Sequence, residues 1–191
     1  MKKIPTLFVR EFDGHNIKGI TPELTDESLR WVLDGEGDAT VKVDGSCCAV
    51  IESTFYKRYD AKKGKKPPEN AIPCCDPDPV TGHWPHWVPV DPKNQADKWF
   101  VEACRRYMND NPGLYPQGTY EAIGQHFNGN PYRLDYDTLV PHGQRIIKVE
   151  RTFEGIRKYL EEHEIEGIVF WKDGEPWCKI KRTDFGLKWP V

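Results

Sequence analysis

The sequence has no long apolar run. At its start, MKKIPTLFVREFDG offers only Leu7-Phe8-Val9, and no later segment approaches the length of a membrane span. The chain therefore reads as a soluble, cytoplasmic protein with no membrane partner. Charge of one sign is also lacking: the formal net charge is -3, so a polyanion would have to be held by a local patch. There is no Cys-x-x-Cys. The six cysteines stand as Cys47-Cys48, Cys74-Cys75, Cys104 and Cys178, adjacent pairs are poor disulfide partners, and in a cytoplasmic chain they read as reduced thiols. No internal repeat and no domain boundary is visible, which predicts one domain over 1–191, long enough to bury a core.

Turns and chemistry are what the chain does hold. Hydrophobic residues at 38% and aromatics at 12% exclude a disordered chain, while sixteen prolines and sixteen glycines predict many turns. Residues 4–12 read as a first strand closed by Asp13-Gly14. A helix is expected after Leu24, capped by Thr25 or Asp26, with Leu29, Val32 and Leu33 inward and Gly35 as its stop. Thr40-Val41-Lys42-Val43-Asp44-Gly45 reads as a strand ending in a glycine turn, with Lys42 and Asp44 two residues apart and so on one face. Ser46–Glu52 and Thr54–Tyr59 follow as strands. Positions 57–66 then hold six cationic residues, from Lys57 and Arg58 to Lys66. That run is either a solvated loop or a lid that faces phosphates.

Half of the prolines fall in 67–93, so 60–93 is expected to be a loop insertion, basic first and then Pro/Trp-rich. Cys74, Cys75, His83 and His86 have the residue types of a zinc set, but vicinal cysteines seldom supply two ligands to a closed tetrahedral site. A surface loop is the preferred reading. Asn94–Asn109 is the clearest helix, with Ala96, Trp99, Phe100, Ala103, Cys104 and Tyr107 forming one apolar stripe. Strands are expected at 118–124, 145–149 and 165–171. A helix at 152–163, capped by Thr152, precedes the last of these, and a hairpin through 172–175 returns as 177–182.

A lysine and an aspartate on one strand face make either a surface ion pair or a reactive amine beside a carboxylate. Three later stretches supply further charged groups: Glu121, Glu166, and the pair Lys179 and Lys181, two apart on one strand face. In order, KVDG at 42–45, YEAIG at 120–124, EGIVF at 166–170 and KIK at 179–181 resemble nucleotidyl motifs I, III, IV and V of the covalent nucleotidyltransferases, the superfamily of ATP-dependent DNA and RNA ligases and capping enzymes. The resemblance implies an α+β adenylation domain of antiparallel sheets with flanking helices, those at 94–109 and 152–163 lying outside. It implies Lys42 as nucleophile toward ATP, with Asp44 beside it and Thr40 and Val41 in the nucleotide-binding stretch. Glu121 would bind the ribose hydroxyls, and Lys179 and Lys181 would contact the phosphate. Glu166 and Asp44 would hold Mg2+, with Mn2+ as a substitute, largely through water. Arg58 resembles the basic residue of motif Ia, with Lys57 as its rival. The adenine-stacking aromatic stays open among Phe127, Tyr132, Trp171 and a residue of 139–147.

Only Arg182–Val191 follows motif V, so no OB-fold domain is expected. KRYDAKKGKKPP, TGHWPHWVPV and YEAIGQHFNGNPY resemble small RNA-ligase-like proteins that join 5′-phosphate to 3′-hydroxyl ends. The implied function is ATP-dependent RNA end joining through lysyl-AMP and adenylylated RNA. Its partners would be RNA ends, such as a nicked duplex or hairpin, and a separate end-healing enzyme. The alternatives are DNA nick sealing, GTP-dependent capping, or a nucleotide- or RNA-binding module without catalysis.

Overall fold

The computed structural model describes residues 3–14, 16–113 and 117–191. The chain forms two units: a terminal unit, Ile4–Val43 with Gly143–Val191, and a middle unit, Asp44–His142 with Lys3. Passage between them occurs at Lys3-Ile4, at Val43-Asp44 and again at His142-Gly143. In the first stretch β1 (Phe8–Asp13) pairs antiparallel with β2 (Asn16–Leu24). The strand expected at 4–12 thus starts later, and β2 is an element that sequence reasoning missed. Its Gly19 and Pro22 are poor strand formers, but the sheet has only two strands, and a proline on an open edge leaves no ladder bond unmade. Asp26 caps the following turn by accepting from the Ser28 N–H at 2.8 Å. A short 3-10 turn then leads into α1 (Arg30–Leu33) and β3 (Asp38–Lys42).

The middle unit carries a six-stranded sheet. β4 (Ser46–Ile51) and β5 (Thr54–Ala61) come first, then β6 (Ile72–Pro73) and β7 (Trp84–Pro89). After α2 (Lys98–Asp110) come β8 (Gly118–Ile123) and β9 (Thr138–Pro141). The order is β6-β7-β5-β4-β8-β9, with every pairing antiparallel. The loop expected over 60–93 is therefore corrected: part of it is strand, with His86 and Trp87 buried at 1% and 5% exposure. The prolines are tolerated for a geometric reason. The Val90 N–H bonds back to Phe55 O, whereas Pro85 O accepts from Cys74 N. Odd positions 85 and 89 thus turn their missing N–H groups toward the two-residue β6, where little ladder is lost. The Asn94 side chain caps a 3-10 turn that opens into α2. Its Trp99, Phe100, Ala103, Cys104 and Tyr107 pack on Cys48, Val50, Tyr120, Ala122, Phe127 and Leu139.

Returning to the terminal unit, β10 (Ile146–Ile147) is only two residues long, shorter than expected. Next come α3 (Phe153–Glu162), capped by Thr152, and the hairpin β11 (Gly167–Lys172) and β12 (Glu175–Lys181). Asp173 and Gly174 make its turn with φ of 53° and 76°, as a two-residue hairpin requires. The sheet runs β10-β3-β11-β12. Ala39, Ile168, Phe170, Cys178 and Ile180 face a core with Leu7, Phe8, Leu29, Trp31, Val32, Ile156 and Leu160. Among the described residues, no helix is long and apolar enough to cross a membrane.

Candidate functional site

The other face of the terminal-unit sheet is polar. Lys42, Gly167 and Lys181 lie directly opposite one another across β3, β11 and β12, and Thr40, Val169 and Lys179 form the next row. Strand alternation therefore puts all three lysines on one face. Val41 sits on the opposite side beside Ile168, and its N–H bonds to Arg145 O at 2.9 Å. Gly167 makes this register attainable, because a Cβ there would lie 2.2 Å from Ile180 O. Glu166, just before β11 and 5% exposed, bridges two of the lysines. Its Oε2 meets Lys42 Nζ at 2.5 Å and its Oε1 meets Lys181 Nζ at 2.9 Å.

Lys179 differs from both neighbours. Among the described residues it has no ion-pair partner, and desolvation, followed by the charges of Lys42 and Lys181, lowers its pKa to about 8. Nearby, Arg10 is neutralised by the buried Asp184, at 2.7 Å, and Asp184 Oδ2 also accepts the Lys181 N–H at 2.8 Å. On the same face, the Trp171 indole N–H donates to Thr40 Oγ1 at 2.9 Å.

The other named residues belong to the middle unit. The strand pleat does not reach Asp44, because β3 ends at Lys42. A loop holds Asp44 instead: its N–H donates to the Tyr132 hydroxyl at 2.7 Å, and its Oδ1 accepts from Asn128 Nδ2 at 3.0 Å. Gly45 is required beside it, since a Cβ would lie 2.4 Å from Ala122 O. Lys57 and Arg58 alternate across β5. Lys57, opposite Cys48, turns to the α2 side and pairs with the buried Asp97. Arg58 turns to the face of Cys47 and Glu121, bonded to Asp60 Oδ1 at 2.9 Å.

Cys47 and Glu121 are register partners. His142 lies against both, with Nε2 3.1 Å from Glu121 Oε1 and Nδ1 2.9 Å from Thr119 Oγ1. Glu121 Oε2 is buried with no hydrogen-bond partner among the described residues. Of the aromatics left open, Phe127 is buried against Phe100 in the core. His142 lies within 139–147, but no spacing in the sequence ties it to Glu121, twenty-one residues away. Asn128, Arg10 and Asp184 were likewise not legible. Among the described residues, the group with metal-ligand spacing is Cys47, Glu121 and His142, and the set at Cys74, Cys75, His83 and His86 does not form one.

A family model described as RNA ligase 1 matches residues 114–191, a span that holds Glu121, His142, Glu166, Lys179 and Lys181. Among curated proteins, the chain is similar to RNA ligase 1 of Rattus norvegicus, 30% identical over 228 aligned positions that cover 80% of this chain and 68% of that protein. RNA ligase 1 of Mus musculus is 29% identical over 224 positions, with the same coverage. RNA ligase 1 of Danio rerio is 27% identical over 227, again covering 80% and 68%.

Proposed function

This chain belongs to the RNA ligase 1 family, and we propose that it joins RNA 5′-phosphate and 3′-hydroxyl ends, driven by ATP, through a covalent lysyl-AMP intermediate on an adenylation domain. The observation that carries this reading is the polar face of the terminal unit. Three lysines stand there beside a single carboxylate that pairs with two of them, and Lys179 is desolvated, with no ion-pair partner among the described residues. A buried cation without a counter-ion costs stability, so such a face calls for an anion, and a phosphate supplies one.

In this reading Lys42 Nζ attacks the α-phosphorus of ATP. The N–P bond forms as the bond to the pyrophosphate oxygen breaks, and pyrophosphate leaves. The amine must first lose a proton. Glu166 Oε2, at 2.5 Å, holds Lys42 in place, with Lys179 and Lys181 on the same face of the sheet. The same two lysines stabilise the charge that builds on the phosphate. The buried Glu166 carboxylate suits a hard cation that keeps its waters, and Mg2+ bound there, or Mn2+ in its place, would add positive charge against both the phosphate and the Lys42 ammonium. Glu121 Oε2, unpartnered among the described residues, accepts from a ribose hydroxyl. AMP then passes to an RNA 5′-phosphate, and a 3′-hydroxyl displaces it.

Intact mass after incubation with ATP and magnesium tests the first step. Wild type gains one AMP, reversed by pyrophosphate, and Lys42→Ala gains none. Folded, nucleotide-free wild type that gains nothing from ATP or GTP would leave a binding module without catalysis. Labelling by GTP in preference to ATP would indicate capping chemistry, and sealing of DNA but not RNA nicks would move the assignment to DNA ligation.

A further inference from the structure

Cys47 and His142, which the joining reaction as proposed does not use, converge on Glu121, which it does. Their ligand atoms, one from each, all lie within 4.8 Å of one another. They come from β4, from β8 and from the residue that follows β9. We propose that this cluster is a binding site for a thiophilic divalent cation of the Zn2+ class, with three protein ligands and an open fourth position.

The donor set of thiolate, imidazole and carboxylate is the one such ions select. Ligands held about 2.0–2.3 Å from a tetrahedral ion stand roughly 3.3–3.8 Å apart. The 3.1 Å between His142 Nε2 and Glu121 Oε1 is already close to that spacing, and the widest pair, within 4.8 Å, closes by about 1 Å on binding.

Two further features point the same way. Glu121 Oε2 is buried without a partner among the described residues, and an ion would satisfy it. His142 Nδ1 rests against Thr119 Oγ1 at 2.9 Å, so a ring that ligates through Nε2 donates its other N–H to that hydroxyl, the usual orienting contact of a metal-bound imidazole. A thiol ligates as the thiolate, so metal binding releases a proton from Cys47. Cys47 also lines a hollow of about 390 Å³ with Ser46, Lys57, Arg58, Asp60 and Phe100. The nearest opposing charge is Arg58, and Asp60 already pairs with it.

The site shares Glu121 with the proposed ribose contact, so the test contains no nucleotide. A failed metal titration then leaves the ligase reading standing, and failed adenylylation leaves the metal site standing. Co2+ is titrated into the reduced full chain while the near-ultraviolet thiolate-to-cobalt band is followed. Wild type takes one equivalent with the band, Cys47→Ser loses it, and a Cys74→Ser/Cys75→Ser variant keeps it. His142→Gln weakens Co2+ binding at least tenfold. No band in wild type, a band that survives Cys47→Ser, or one lost with Cys74 and Cys75 overturns the proposal. If Cys47→Ser does not fold, His142→Gln decides, and unchanged affinity overturns it.

Discussion

Lys179 shows how one side chain links stability to chemistry. Its pKa is lowered to about 8 by desolvation and by Lys42 and Lys181, whereas the unfolded lysine titrates near 10.4. Between those values the unfolded chain binds a proton that the folded chain does not, so stability rises with pH from about 8 to about 10.4. Below about 8 the full penalty of the buried charge is present. Lys179→Met is therefore expected to stabilise the protein at pH 7, on the order of 2 kcal/mol, and to flatten that rise. Urea midpoints measured from pH 7 to pH 10 check both points, and adenylylation by the same variant should fall at least tenfold if Lys179 serves the phosphate. A variant that is no more stable at pH 7 and has the wild-type pH profile would show that Lys179 is well solvated.

Among the elements, β11 is the one whose geometry fixes the most. It lies between β3 and β12 and sets Lys42 and Lys181 opposite Gly167. Gly167→Ala drives a Cβ to 2.2 Å from Ile180 O, which forces β11 and β12 apart. A loss of about 2–4 kcal/mol in urea unfolding is expected, together with loss of adenylylation, because Glu166 moves away from both lysines. In the middle unit, the start of α2 is tied to β5 through Lys57 and the buried Asp97, which also accepts the Asp91 N–H at 2.9 Å. Asp97→Asn strands Lys57, whose side chain is 26% exposed, so water relieves part of the penalty. A cost of about 2 kcal/mol is expected, and Lys57→Met in the same background should recover some of it. Additive losses in the double variant would remove the coupling.

For the molecule as a whole, charge decides how it meets a polyanion. With a net charge of -3 and six cations between 57 and 66, binding of RNA under the proposed function must be local. Two of those six already have partners, Lys57 with Asp97 and Arg58 with Asp60. That leaves Lys62, Lys63, Lys65 and Lys66 as exposed cations. Each phosphate contact contributes about 0.7 to the salt slope on a single strand. Replacing the four lysines by glutamine should flatten a fluorescence-anisotropy salt series by up to about 3 and leave ATP-driven mass gain unchanged. An unaltered slope would assign this segment to solvent.

Much of this architecture was readable from the chain alone. The stripe of α2, the Thr152 cap of α3 and the turn at Asp173-Gly174 are local, set by periodicity and by residues whose backbone preferences act over a few positions. The order of KVDG, Glu121, EG and KIK determined the resemblance to nucleotidyltransferases and the type of each charged residue. The order could not determine which of those charges meet. Lys42 and Glu166 are 124 residues apart, and only the pairing of β11 with β3 and with β12 turns three lysines to one face beside one carboxylate. Alternation within β5 sent Lys57 to Asp97 and Arg58 to Cys47, a choice that depends on register and leaves no local signal. β2 and β7 were hidden for a related reason. Their prolines and glycine argue against a strand, and only the neighbours beside them decide whether a missing N–H matters. Tertiary pairing likewise brought His142 to Glu121, because strand register is fixed by the buried face and not by any residue near it.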